Sequence, residues 1–139
     1  VQLDYYGDYQ EISLAGKRIL SVDDNELNRD VAKFLLEDNG IKVEEAENGQ
    51  EAVDKFWASK PGYYDAILMD IMMPELDGYE TMRHIRSNPE FISIPIIALT
   101  AKAMKGDREK CLEAGATDYI SKPINLEQLF SVMRVWLTK

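Results

Sequence analysis

Histidine and cysteine are nearly absent from this chain of 139 residues, with one of each. The lone His84 argues against a multi-histidine metal centre and against a Ser-His-Asp triad. Its setting, Arg83-His84-Ile85-Arg86, reads as the solvated side of a helix. The lone Cys111 excludes an internal disulfide, fits a reducing compartment, and reads as a small buried helix residue. Basic charge is also short: 16 Lys and Arg stand against 25 Asp and Glu, a net charge of −9. Such a domain is not expected to grip nucleic acid phosphates or an anionic membrane by itself. No apolar run reaches membrane-spanning length, and the acidic, aromatic N-terminus lacks the apolar stretch of a signal peptide. The chain starts at Val1 rather than Met, which reads as a piece excised from something longer. With 45% hydrophobic and 29% charged residues, it has the composition of one soluble domain with a real core, placed in the cytoplasm.

The chain is organised around residues 64–78. Ala66 to Met69 form a short uninterrupted apolar run that ends in Asp70. That pattern predicts a strand buried on both faces, as in a parallel sheet. Met73-Pro74 enforces an extended loop, and Asp77 caps a helix starting at Gly78. Ligands of open parallel α/β sheets bind beyond the carboxyl ends of the strands, where Asp70 stands.

The remaining elements follow in order. Residues 1–16 read as a linker or leader, and 17–139 as the domain. Arg18–Val22 is the first strand, followed at once by Asp23 and Asp24. The helix after Asn25 shows one apolar stripe, Leu27, Val31, Phe34 and Leu35, stopped by Gly40. Lys42–Ala46 is a second strand, and a helix from Gln50 to Trp57 follows it. Ile94–Leu99 is the fourth strand, with Thr100 after it. The next helix has a weak apolar face of Met104, Cys111 and Leu112, so it opens easily. Thr117–Ser121 is the fifth strand, with Lys122 after it, and Asn125 caps the last helix. Five βα units with right-handed crossovers predict a doubly wound (flavodoxin-like) α/β sandwich. One common doubly wound solution gives its five-stranded parallel sheet the order 2-1-3-4-5, with five helices.

The strand ends carry the chemistry. If strands one and three are neighbours, Asp23, Asp24 and Asp70 crowd together and repel unless a cation sits among them. A hard divalent ion with oxygen ligands answers this, and Mg²⁺ is the usual choice beside phosphate. Lys122 supplies a point charge for a phosphoryl oxygen and Thr100 a hydroxyl donor. A carboxylate can serve as the nucleophile and become an acyl phosphate. Chemistry alone does not say which aspartate attacks; Asp70 is favoured because it would lie between the acid pair and Lys122.

These residues resemble the receiver domain of two-component response regulators, most of all that of a hybrid sensor histidine kinase. The likeness runs from about Lys17 to Leu137. It rests on Asp23-Asp24, Met69 to Pro74 with Leu76-Asp77-Gly78, Leu99-Thr100-Ala101 and Lys122-Pro123. Leu14-x-Gly16-Lys17-Arg18-Ile19-Leu20 and Asn25-Glu26-x-Asn28-Arg29 look like hybrid-kinase sequence. The resemblance implies that Asp70 takes phosphate from a phosphohistidine. Mg²⁺, or Mn²⁺ as substitute, would lie on Asp23, Asp24, Asp70 and the Met72 carbonyl. It implies switch or phosphate-binding roles for Thr100, Ala101, Tyr119 and Lys122, and a cis bond before Pro123. Met72, and Lys102 with it, lie near the path of an attacking water and bear on phosphate lifetime.

The implied partner is a histidine kinase or a histidine phosphotransfer domain. Asn25, Asn28 and Arg29 with Pro123 and Ile124 form the expected docking rim, and a weak homodimer is a further expectation. The domain would catalyse its own aspartyl phosphorylation and dephosphorylation, within a parent chain that is a histidine kinase, itself the cytoplasmic part of a membrane-bound protein. Two other readings compete. A haloacid dehalogenase-like phosphohydrolase shares the aspartyl phosphate, Thr, Lys and Mg²⁺, but wants Asp-x-Asp after strand one and a cap insertion, and neither is present. An inactive receiver-like interaction module would lack a key residue, and none is lost.

Overall fold

The computed structural model describes residues 14–60, 62–71, 77–91, 93–100, 105–122 and 124–137. Strands and helices alternate: β1 (Arg18–Val22), α1 (Glu26–Glu37), β2 (Lys42–Ala46), α2 (Gly49–Ala58), β3 (Ala66–Asp70), α3 (Gly78–Arg86), a 3-10 turn (Pro89–Phe91), β4 (Ile96–Thr100), α4 (Lys105–Ala114), β5 (Asp118–Ser121) and α5 (Leu126–Leu137). The five strands are parallel in the order β2-β1-β3-β4-β5, as the βα pattern predicts. Every residue of β3 and β4 is buried, which explains their unbroken apolar runs.

The sheet divides the core into two layers. Leu20, Val22, Ile67, Met69, Ile96 and Ala98 face one of them. There they meet Phe56 of α2, Met82 and Ile85 of α3, and Cys111 of α4. Ile19, Ala66, Leu68, Ile97 and Leu99 face the other, against Leu36 of α1 and Leu129 and Met133 of α5. Period-two alternation within each strand sends neighbouring side chains to opposite layers.

Two expectations about helix faces are corrected. The stripe of α1 points outward: Leu27 is 70% exposed, Phe34 69% and Val31 44%. The helix buries Arg29, Ala32 and Leu36 instead. Those residues form a second stripe at i, i+3 and i+7, roughly opposite the bulkier one. Small Ala32 lets the helix approach the sheet, and Arg29 is tolerated inside because its guanidinium finds partners. In α4, Leu112 is exposed while Cys111 and Ala114 are buried, and Met104 lies outside the described residues. Finally, Leu14 is buried in the second core layer, and the Gly16 amide donates to the Gly40 carbonyl at 2.9 Å. Leu14 and Gly16, at the end of the stretch read as a leader, thus contact the packed body.

Candidate functional site

The carboxyl ends of the strands gather the polar residues that the sequence singles out. Asp70 is the last residue of β3 and is 1% exposed. Asp23 follows β1 and is also buried, whereas the next residue, Asp24, is exposed. Pairing of β1 with β3 brings the acids together, and one carboxylate oxygen from each of Asp23, Asp24 and Asp70 lies within 4.8 Å of the others. Lys122 arrives from the end of β5. Its Nζ donates to Asp70 Oδ1 at 2.8 Å and lies 3.8 Å from Asp23 Oδ2. Its amide donates to the Thr100 carbonyl at 2.7 Å, which registers β5 against β4. Thr100 itself is the buried last residue of β4.

The charge balance of this cluster decides what it can hold. Three carboxylates face one ammonium, leaving two negative charges in a largely buried spot. Like charges so close repel unless a cation joins them. Carboxylate oxygens converging from two strand ends suit a hard divalent ion. The donor set therefore fits a magnesium-type cation.

Local structure explains the placement. The Asn25 amide donates to Asp23 Oδ1 at 2.9 Å, and the Asn25 side chain caps α1 by accepting from the Asn28 amide at 3.0 Å. Asp77 caps α3 in the same way, accepting from the Glu80 amide at 2.9 Å. Gly78 must be glycine, because a Cβ there would stand 2.4 Å from the Asp70 carbonyl oxygen. The start of α3 is thereby pressed against the end of β3.

Of the expected site residues, Asp23, Asp24, Asp70, Thr100 and Lys122 converge at one sheet edge. Tyr119 lies on β5, partly buried against the first core layer, with the Arg108 guanidinium 5.7 Å from its ring centroid. Met72, Ala101 and Pro123, with Lys102, lie outside the described residues. A groove of about 230 Å³ opens beside the acids, lined by Asp23, Leu27, Asn28, Val31, Lys122 and Ile124. Asn28 and Ile124, two residues of the expected docking rim, line this groove, and Asn25 is exposed. Arg29 does not. It is 8% exposed and donates inward to the Asp23 carbonyl at 2.6 Å, so it offers a partner no surface. Leu27 and Val31 are the groove residues that sequence reasoning missed. Their helical spacing was visible, but which way they face was not.

Comparison with known proteins agrees with this geometry. The response regulator receiver domain family matches residues 19–134. The chain is 44% identical over 128 residues to hybrid signal transduction histidine kinase I of Dictyostelium discoideum, covering 88% of this chain but 7% of that kinase. It is 39% identical to the polar-differentiation response regulator DivK of Brucella anthropi, over 87% of this chain and 96% of that protein. The receiver domain of sensor histidine kinase PA1611 from Pseudomonas aeruginosa, solved with a magnesium ion in its active-site cleft, superposes with a TM-score of 0.81. It is 42% identical, over 90% of this chain and 100% of that one. The Saccharomyces cerevisiae receiver domain of Ssk1, crystallised with the histidine phosphotransfer protein Ypd1, has a TM-score of 0.81 at 30% identity, over 89% of this chain and 90% of that one. Among the described residues, no helix is long and apolar enough to cross a membrane. The strand order, the acidic cluster at the strand ends and the match over residues 19–134 all agree: this chain belongs to the response regulator receiver domain family of two-component signalling.

Proposed function

We propose that this domain accepts a phosphoryl group from a phosphohistidine onto Asp70. One observation carries the reading: Asp70 is buried, within 4.8 Å of the Asp23 and Asp24 carboxylates, and held at 2.8 Å by Lys122. A carboxylate oxygen of Asp70 attacks phosphorus. The new O–P bond forms as the P–N bond breaks, and the departing imidazole nitrogen keeps the bonding pair and then takes a proton from water. Asp70 ends as an acyl phosphate. Lys122, already seated on Asp70, follows the charge onto the phosphoryl oxygens, and the Thr100 hydroxyl donates to them from the adjacent strand end. Asp23, Asp24 and Asp70 would hold Mg²⁺, or Mn²⁺ as substitute, which would supply positive charge beside the phosphoryl group; the family resemblance adds the Met72 carbonyl as a further ligand. Tyr119, partly buried against the first core layer, is the aromatic that accompanies the Thr100 switch hydroxyl. Lone Cys111, free and buried, suits a cytoplasmic setting.

The donor is a helical phosphotransfer or kinase domain, as in the yeast complex. The groove beside Asp23 and the exposed Leu27 and Val31 on α1 offer it an apolar seat with a polar rim, next to Asp70.

The test is labelling by acetyl phosphate with Mg²⁺, read by intact mass. One phosphoryl group should add to the native protein and none to Asp70→Asn, because the amide is a poor nucleophile. Full labelling of the amide variant at the native rate would overturn the assignment. Steady multiple-turnover release of phosphate from a sugar phosphate would point to a hydrolase instead.

A further inference from the structure

Three consecutive peptide groups carry the acid pair, and each is tied down differently. The Asp23 amide donates to the Ala46 carbonyl of β2 at 3.2 Å, so the sheet holds the first. The Asn25 amide donates to Asp23 Oδ1 at 2.9 Å, so the Asp23 side chain holds the third. Between them lies the peptide joining Asp23 to Asp24. Its carbonyl oxygen takes a 2.6 Å hydrogen bond from the Arg29 guanidinium, and that bond is buried. The peptide unit is planar, so clamping its oxygen sets the last backbone torsion of Asp23 and the first of Asp24 together. Those two torsions decide that one carboxylate turns inward and its neighbour turns to the mouth of the site.

Arg29 is itself held in place. Its Nη2 lies 3.4 Å from Glu47 Oε1, and its Nε lies 3.9 Å from Glu45 Oε2. Among the described residues, no hydrogen-bond donor reaches Glu45 Oε2, although it is buried. The Arg29 charge is therefore what offsets that carboxylate. A lysine could carry the charge but not the fork that spans a carbonyl and two carboxylates. An arginine buried at this cost is poorly explained by packing alone, since an apolar residue would fill the same space without desolvating a charge.

We infer that Arg29 is a positioning residue for the metal site: by clamping the Asp23–Asp24 peptide it pre-sets the directions of the two carboxylates and so sets the affinity for Mg²⁺. The inference rests on the proposed Mg²⁺ site, and it is new in giving α1 an inward task beside its outward docking face.

Electrostatics and positioning predict opposite signs here, which makes a sharp test. Arg29→Gln removes a cation from beside three carboxylates. If only charge mattered, Mg²⁺ would bind more tightly. Positioning predicts weaker binding, by about tenfold, the usual loss on removing an outer-sphere partner of a metal ligand. Arg29→Lys keeps the charge and loses the fork, so positioning predicts weakening there too, whereas the charge account predicts no change. Titration calorimetry with MgCl₂ on the folded proteins measures both, and binding by folded protein is not moved by global stability. A metal-free readout accompanies it: amide hydrogen exchange at Asp23, Asp24 and Asn25 should quicken in Arg29→Lys while exchange in β3 stays native. Glu47→Gln, at an exposed partner, serves if Arg29→Gln does not fold, and should loosen the same amides to a smaller degree. Native Mg²⁺ affinity in Arg29→Lys, or tighter binding in Arg29→Gln, overturns the inference and leaves the proposed function standing. Absence of Mg²⁺ binding by the unaltered protein overturns both.

Discussion

The two ends of the sheet use the same residue types to opposite effect. At the amino end, polar groups are matched. The Glu44 carboxylate receives the hydroxyls of Tyr63 and Tyr64, the latter at 3.0 Å, with Arg18 3.7 Å away and stacked 4.1 Å from the Tyr63 ring centroid. Burial and the Glu44 carboxylate push the Tyr64 hydroxyl well above its ordinary range. Nearby, Arg86 donates to the carbonyls of Gly115 and Phe91, at 2.9 and 3.0 Å, and to Thr117 Oγ1 at 3.2 Å. It approaches Gly115 so closely that a Cβ there would meet Arg86 Cγ at 2.8 Å. At the carboxyl end, three carboxylates crowd together and Lys122 pairs with two of them, Asp23 and Asp70. A matched cluster stabilises the fold; a cluster with excess negative charge suits a cation. Changes at the amino end should therefore move stability, and changes at the carboxyl end should move binding and transfer.

The largest stability effect is expected from Arg86→Met, which takes the guanidinium donor from the Gly115 and Phe91 carbonyls, while Thr117 Oγ1 keeps the Ile96 amide. Urea denaturation should show a loss of about 2–4 kcal/mol, the scale for leaving two buried polar groups unpaired. Mg²⁺ affinity should stay native, and a loss of affinity here would break the contrast between the ends. The mirror case is Asp24→Ala. Calorimetry should show Mg²⁺ binding about tenfold weaker or worse, by analogy with removal of groups that orient a metal. Melting of the metal-free protein should not fall, because removing one of three crowded carboxylates relieves repulsion.

A third measurement separates chemistry from docking within the carboxyl end. Ile124→Asp and Leu27→Asp should slow transfer from a phosphohistidine protein several-fold, at about 1 kcal/mol for a substituted contact residue. Labelling by acetyl phosphate should stay near native. Equal loss of both rates would mean that these residues support the site rather than a partner.

The smallest effect is at Glu44, and it carries a pH signature. Burial raises its pKa, but the two tyrosine hydroxyls and Arg18 outweigh burial and bring it below the ordinary 4.5. A depressed folded-state pKa adds stability above the unfolded value that is lost as pH falls through the folded one. Glu44→Gln should therefore be slightly less stable than the native protein at neutral pH, and the gap should close as pH drops below that ordinary value. A gap that widens in acid would refute the matched cluster.

Much of this was legible in the chain. Alternating βα units, unbroken apolar strands and polar residues directly after them depend on local spacing, and spacing survives into the fold. The orientation of α1 was not legible. Leu27, Val31 and Phe34 form the heavier stripe, yet they face out, while Ala32 and Leu36 face in with Arg29. Periodicity reports that a helix has faces; only packing against the sheet selects one. Arg86 shows the same limit, for it sits next to solvated His84 while its partners lie 5, 29 and 31 residues away.

By itself the sequence determined the doubly wound α/β sheet, the strand ends at which Asp23, Asp70, Thr100 and Lys122 fall, and the capped starts of α3 and α5. These follow from short-range steric and hydrogen-bonding rules that act within a few residues. The tertiary structure alone decided that the three carboxylates come within 4.8 Å of one another and that Lys122 reaches Asp70 across 52 residues of chain. It alone turned Arg29 inward and Leu27 outward. Those outcomes depend on which surfaces bury together, and burial is a property of the whole molecule.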